Sequence, residues 1–350
     1  MRLLFVGKVD ASAYGAATFE RYVSAGKELG HEVVMFGERP NDFWNLPFTT
    51  ETKGFDAVVF VVYQTTDFPD LPYLAQLLDN VPKDRRVVID PTGRFNETIR
   101  VDDDFNHLEK LDGHQGWEWI DAMRAVSTRI YQPTLKPRHE EARSFLFYGY
   151  DPSHVAPRGS WDKPYGLGYI GNNWQRWAQI KRVIEAAEPM KAELGKMRVA
   201  GWDWEKTPQW IIDLGVPGIL VERELLERVP VEAWGPLRYN ELIGYLSEHR
   251  FTPVLQRPLF NELGLVTNRV FETFMADTIP LVSIPEELAV SIYGDGVKPL
   301  LAGDDPGRVV KDGLAHPERA FEAVSKVRQH LAAEHSMKKR FAQLAEILEG

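Results

Sequence analysis

Short apolar runs alternate with longer stretches of helical period along most of this 350-residue chain. Residues 2–7, R-L-L-F-V-G, are an apolar run closed by glycine; residues 16–29 carry a helical pattern, and residues 31–37 return to a strand-like run. Strand, helix and strand in that order predict a parallel sheet, because parallel neighbours need a crossover between them. Further strands are predicted at 57–63, 86–90, 122–127 and 144–148, each closed by turn-forming or polar residues.

The second half repeats this order of elements without repeating sequence. Residues 151–160, D-P-S-H-V-A-P-R-G-S, predict a linker from their proline, glycine and polar content. A strand running to Gly171 opens the second half, followed by a helix over 176–194, a strand at 196–200, a helix over 237–249, a strand at 252–256 and a loop over 257–265. Thr267 or Asn268 then caps a helix that places Val270, Phe271, Phe274 and Met275 on one face, and residues 279–284 follow as a buried strand. Residues 308–349 are mostly helical, broken at His316-Pro317 and at His335-Ser336. The fold class is therefore α/β, and 350 residues are enough for two domains, each with its own core.

Composition narrows the classes. A chain with 44% hydrophobic and 26% charged residues is globular, and no stretch approaches the roughly 18 apolar residues of a membrane span. The opening residues are too short and too strand-like for a signal peptide, so a cytoplasmic location is expected. The absence of cysteine excludes disulfides and thiolate metal sites. A net charge of −10 argues against nucleic acid as a partner. Several of the ten tryptophans, Trp117, Trp119, Trp174, Trp177, Trp202 and Trp204 among them, fall beside predicted loops, where they either pack or stack on a ligand.

Candidate chemistry concentrates after strand ends, where ligands sit in parallel sheets. The loop over residues 7–15 lacks the spacing G-x-G-x-x-G, which argues against a dehydrogenase. Residues 63–67 and 90–94 are two such strand-end loops; Asp90 reads as a general base, a sugar ligand or a turn partner. His114 lies in a glycine-flanked loop, and residues 101–104, V-D-D-D, read as a solvated charge run. The helix starting at Asn268 offers free N–H groups to an anion, Arg269 adds a formal charge, and Glu272 one turn in can accept two ribose hydroxyls; the alternative is an amphipathic helix with solvated Arg and Glu.

The stretch N-R-V-F-E-T-F-M-A-D-T-I-P-L-V resembles the segment R-x-F-E-x-x-A-x-G-x-x-P-L-x of the donor-binding domain of GT-B glycosyltransferases, especially the spore-maturation or glycosyltransferase-like branch. A strand ending in Ile170-Gly171, then Arg176 and Lys181, resembles the segment with which that family holds the leaving diphosphate, and Tyr239-Asn240-Glu241 resembles a helix start near its nucleotide base. Two positions depart from the pattern: Asp277 replaces a helix-end glycine, and the first Glu of the family's acidic pair falls on Gly264, leaving that role to Asn261 or Glu262 or unfilled.

The resemblance implies two Rossmann-like domains facing across a cleft, residues 1–153 with 336–350 on the acceptor side and residues 154–335 on the donor side, with the last helix crossing back to the first domain. It further implies transfer of a sugar from a nucleotide-diphosphate sugar to a small-molecule or carbohydrate acceptor, with retention and without an obligatory metal or other cofactor. Arg176 and Lys181 then serve the diphosphate, Gly171, Asn268, Arg269, Glu272 and Tyr239 hold the donor, and Asp90 and His114 face the acceptor. The same site also suits a non-catalytic nucleotide-sugar binder, a sugar-nucleotide epimerase or, as a lesser alternative, a nucleic-acid-modifying transferase.

Overall fold

A computed structural model describes residues 1–9, 15–40, 45–63, 67–97, 116–173, 176–213 and 220–350, without the side chains of residues 15 and 116–118. Twelve described strands form two wholly parallel sheets. The first runs β3-β2-β1-β4-β5-β6-β7, from β1 (Arg2–Val6), β2 (Glu32–Phe36), β3 (Phe48–Thr49), β4 (Ala57–Val61), β5 (Arg86–Ile89), β6 (Ile130–Gln132) and β7 (Ala142–Ser144). The second runs β10-β9-β8-β11-β12, from β8 (Tyr165–Ile170), β9 (Met197–Ala200), β10 (Val231–Trp234), β11 (His249–Val254) and β12 (Ile279–Val282). The expected two-sheet α/β architecture is thus present.

Helices α1 (Gly15–Glu28), α2 (Leu71–Asn80) and α3 (Gly116–Val126) accompany the first sheet. With the second come α4 (Trp177–Ala187), α5 (Lys191–Leu194), α6 (Gln209–Asp213), α7 (Arg223–Arg228), α8 (Leu242–Ser247), α9 (Pro258–Glu262), α10 (Asn268–Met275), α11 (Glu286–Tyr293), α12 (Pro306–Ala315) and α13 (Pro317–Glu334). The breaks expected at His316-Pro317 and His335-Ser336 separate α12, α13 and the last helix, α14 (Met337–Glu349). Among the described residues no helix is long and apolar enough to cross a membrane.

Central strands such as β4 (A-V-V-F-V) and β5 (R-V-V-I) are buried along their whole length, because helices cover both faces of a parallel sheet. Helix α14 crosses back onto the first sheet: Phe341 is fully buried against Gly26 of α1, and Arg340 Nε donates to Tyr148 O at 3.1 Å. At Gly26 a side chain would stand 2.8 Å from the Phe341 ring, so glycine sets the depth of that crossing. A second seam joins Val266 N to Pro133 O at 2.6 Å and Thr134 Oγ1 to Leu263 O at 3.0 Å. One continuous apolar core runs from Leu3 to Leu348 through both sheets.

Several local expectations change. Residues 122–127 are not a strand but mostly the end of α3, since Trp119, Ile120, Met123 and Val126 recur at helical spacing and are all buried. Residues 145–148 are not a strand; the strand predicted at 144–148 meets β7 at Ser144 alone, while β3, β6 and β10 are strands that the pattern left out. The helix predicted over 176–194 breaks at Glu188–Met190, where Pro189 removes a backbone donor. The helix predicted over 237–249 is a turn at Tyr239–Glu241 followed by α8, and the loop over 257–265 contains α9.

Asp277 also differs from expectation. Among the described residues Asp203 alone, apart from glycines, has a positive φ, so Asp277 does not imitate a left-handed glycine. Its Oδ2 instead accepts from Gly159 N at 2.9 Å and from Lys163 Nζ at 2.6 Å, tying α10 to the segment that enters the second sheet.

Candidate functional site

In both sheets the chain leaves the middle in opposite directions: β1 lies between β2 and β4, and β8 between β9 and β11. Helices that diverge at such a point open a crevice beyond the carboxyl ends of the strands. A cleft of about 450 Å³ lies there, walled by residues of both halves. Ile170, Gly171 and Asn172 after β8, Gly201 and Trp202 after β9, and Pro236 after β10 form one wall, with Arg176 at the start of α4. Leu255, Gln256, Arg257 and Phe260 after β11, and Thr267, Asn268, Arg269 and Glu272 of α10, form a second. The first sheet contributes Tyr63, Pro91, Thr92 and Tyr148.

Helix α10 begins as the pattern predicts, with Thr267 at its cap and Asn268 as its first residue, and Val270, Phe271, Phe274 and Met275 are fully buried. That burial fixes the helix so that Asn268, Arg269 and Glu272 face the cleft. Free N–H groups of the first turn and the Arg269 guanidinium make this end attractive to an anion. Glu272 is 1% exposed; its Oε1 lies 3.5 Å from Arg21 Nη1 of α1, and its Oε2 has no hydrogen-bond partner among the described residues. A buried carboxylate oxygen with no donor is costly, which marks the place where a hydroxyl-bearing ligand relieves it.

Gly171 has φ 146°, and the loop is packed so closely that a Cβ on Gly201 would stand 2.3 Å from Gly171 O. The same oxygen accepts from Trp204 Nε1 at 2.8 Å. Main chain thus reaches the cleft where side chains would block it. Trp204 and Trp177 belong to the core and Trp119 is buried, whereas Trp202 is 52% exposed at the cleft and free to stack; the side chains of Trp117 and Trp174 lie outside the described residues.

On the opposite wall the Tyr63 and Tyr148 hydroxyls are 2.8 Å apart. Burial pushes Tyr63 up to about 12 and holds Tyr148 well above the usual phenol range, and the Glu272 carboxylate adds to both. Both therefore remain neutral, able to donate and to accept.

Of the expected site residues, Gly171, Arg176, Asn268, Arg269 and Glu272 come together. Lys181 does not. Arg176 is the non-helical cap of α4, whereas Lys181 lies within the helix and pairs with Glu222 and, at 3.8 Å, Glu185, partners that raise its pKa. Asp90 is fully buried behind Pro91 and Thr92, and burial raises its pKa. Its oxygens accept from Arg94 N at 3.0 Å, Phe95 N at 2.8 Å and Gln132 Nε2 at 2.8 Å. It shapes the turn that lines the cleft and has no free lone pair aimed into it. Tyr239 is likewise taken: its hydroxyl donates to Glu20 Oε1 of α1 at 2.6 Å, and it does not line the cleft. Glu262 pairs with Arg138 at 3.5 Å on the surface, and Gly264, with φ 58°, sits at the Thr134 seam, so neither supplies a carboxylate to the cleft. His114 and residues 101–104 lie outside the described residues.

Arg21, Gln256, Arg257 and Tyr148 were not singled out from sequence. Gln256-Arg257 had a usable signal, two polar residues directly after an apolar strand; Arg21 inside α1 had none. Among the described residues no group of three acidic or histidine side chains is placed to hold a metal.

Residues 176–346 match the family model described as glycosyl transferase-like. No curated protein matches the sequence. Solved structures do. The T4 phage enzyme BGT in complex with UDP and Mn2+ aligns over 100% of this chain and 99% of its own with a TM-score of 0.63 at 11% identity. An alpha-glucosyltransferase in complex with UDP and a 13-mer DNA containing a HMU base aligns over 100% and 99% with a TM-score of 0.63 at 13% identity. A beta-glucosyltransferase described as a DNA modifying enzyme aligns over 100% of both chains with a TM-score of 0.62 at 12% identity. The fold is that of the GT-B glycosyltransferases. These neighbours overturn the argument against nucleic acid: proteins of the same fold bind and modify DNA, and a net charge of −10 summed over a whole chain does not describe the charge on one face.

Proposed function

We propose that the protein is a glycosyltransferase that takes a UDP-sugar in the cleft between its two sheets, a reading supported by the match of residues 176–346 to the glycosyl transferase-like family and by the GT-B fold. The observation that carries this reading is the juxtaposition, around one cleft, of Arg176 on one wall and, on the facing wall, the amino end of α10 with Arg269 and the Oε2 of Glu272, which has no partner among the described residues. In this reading Glu272 holds the ribose hydroxyls, while Arg176, Arg269 and the helix end hold the diphosphate. Breaking the glycosyl–phosphate bond builds charge on the diphosphate, and fixed cations in a partly dry cleft stabilise that charge more than they stabilise the bound donor. UDP as the nucleotide is supported by the ligands of the fold neighbours.

Residues 154–335 form the donor side and residues 1–153 with 336–350 the acceptor side. The acceptor hydroxyl enters past Tyr63, Pro91 and Thr92, and transfer proceeds with retention, as the resemblance at Glu272 suggests. The positive charge needed at the leaving group comes from the two arginines, so turnover persists in EDTA. Loss of activity in EDTA that Mn2+ restores would assign that charge to a metal instead.

UDP should raise the melting temperature more than other nucleoside diphosphates, and a UDP-sugar with a panel of glycans and small hydroxyl compounds should give a product one sugar heavier. Proton NMR of that product reads the anomeric configuration. Absence of any nucleotide effect would end this reading. A second acceptor class, DNA carrying hydroxymethylated bases, is favoured by the full-length match to DNA-modifying enzymes. Binding to such DNA that weakens steeply with salt, together with a glycosylated DNA product, would select it.

A further inference from the structure

Gln256 lies just past the end of β11, lines the cleft and is 1% exposed, yet among the described residues neither its Nε2 nor its Oε1 has a hydrogen-bond partner. A buried amide with both ends unmet is uncommon, because each group has given up water without replacement. The cleft is the direction from which a partner can come. We propose that Gln256 recognises the hydroxyls of the transferred sugar and thereby sets which sugar the protein accepts; this rests on the transferase reading above.

The chemistry of the amide selects that occupant. One side of the group donates and the other accepts, so its partner has to do both. Phosphate oxygens only accept, and would leave Oε1 facing negative charge. A sugar hydroxyl does both. Place along the sheet agrees: β8, which ends at Gly171, lies between β9, which leads to Trp202, and β11, which leads to Gln256. Strands in a sheet are about 4.8 Å apart, so a diphosphate at Gly171 and Arg176 separates a base near Trp202 from a sugar near Gln256.

The same segment singles out Gln256. Between β11 and α10 it gives the cleft Leu255, Gln256, Arg257, Phe260 and Thr267; Gln256 and Thr267 each pair a donor with an acceptor, and of the two only Gln256 is buried. Glu262 is committed to Arg138, and Gly264 has no side chain.

Calorimetric titration of wild type, Gln256→Leu and Gln256→Glu with UDP, UDP-glucose and UDP-galactose tests this without an acceptor. Wild type should bind its preferred UDP-sugar more tightly than the epimer. Gln256→Leu should keep its UDP affinity within about two-fold, lose about ten-fold for the preferred UDP-sugar and lose the preference between epimers. Gln256→Glu, which keeps an acceptor, should lose less. An unchanged melting temperature accompanies these losses, since an apolar side chain of similar size replaces groups that made no bonds. Equal loss for UDP and UDP-sugars would place Gln256 on the nucleotide and overturn the assignment, as would unchanged affinity for all three. Failure of the wild type to bind any of them would instead remove the transferase reading itself.

Discussion

Arg21 of α1 and Glu272 of α10 meet between the two halves, with Arg21 Nη1 3.5 Å from Glu272 Oε1 and the side chains 8% and 1% exposed. Two charges this deep hold each other in place at a desolvation cost, so removing one strands the other. Glu272→Gln should therefore lower stability by about 3 kcal/mol and weaken UDP at least about ten-fold. In the double variant Arg21→Met with Glu272→Leu, stability should recover while UDP affinity does not. Urea unfolding and calorimetric titration separate the two effects; normal UDP binding by the double variant would take Glu272 off the nucleotide.

Arg176 and Lys181 share α4 and its approach but not a direction. Arg176→Ala should reduce turnover about 100-fold, the usual loss when one group that stabilises developing charge is removed. Lys181→Ala should leave turnover and melting temperature nearly unchanged, because Lys181 spends its charge on Glu222 and Glu185 at the surface. Steady-state rates with a UDP-sugar decide; equal losses in the two variants would show that Lys181 swings into the cleft.

The close approach of two main-chain segments at the cleft floor predicts an intolerant glycine. Gly201→Ala puts a Cβ 2.3 Å from Gly171 O at φ 140°, and should cost about 3 kcal/mol or more and abolish UDP binding. Gly195→Ala, at φ 67° with no atom within 4 Å, should cost about 1–2 kcal/mol and leave binding intact. Chemical denaturation and titration of both variants check the contrast.

Two buried histidines predict acid sensitivity. Burial, with the Arg198 charge beside it, pushes His249 down to about 3, and burial, with Arg340, pushes His335 down to about 4. The unfolded chain takes up those protons near pH 6.5 while the folded chain does not. Their contribution is therefore fully present above about pH 6.5 and is lost as pH falls from there, by about 1.4 kcal/mol per pH unit for each histidine. Unfolding free energies at pH 7, 6 and 5 should fall accordingly, and His335→Gln should reduce the slope by one proton. An unchanged slope in that variant would mean that His335 already titrates in the folded state.

Much of the fold was legible because it rests on local spacing. The apolar runs of β1, β4 and β5, and the face made by Val270, Phe271, Phe274 and Met275, follow from neighbouring residues and from burial. Ala122–Ser127 misled because a buried helix end and a buried strand present similar short apolar stretches. The two-residue β3 carries too few residues for an alternation to show, and β10, V-E-A-W, is as long as β5 but holds a charged residue and no buried one.

In the site, spacing located the start of α10 and the glycine after β8, since both are properties of a segment and its immediate ends. It misplaced Lys181, Asp90 and Tyr239 for one shared reason: a charge or hydroxyl is available to a ligand only when the fold has not already given it a partner. Glu222 and Glu20 are such partners and come from distant parts of the chain, whereas Asp90 is held by the amides of Arg94 and Phe95 in its own turn, the turn-partner reading, and by Gln132 of β6.

The sequence by itself determined the alternation of strand and helix, the two sheets and the helix end that faces an anion, because hydrophobic period and capping act over a few residues. Tertiary structure alone decided that Arg21 meets Glu272 across 251 positions and that Gln256 finds nothing to bond among the described residues. Which polar atoms are satisfied depends on what packs around them from distant parts of the chain, and the atoms left over are the ones a substrate can use.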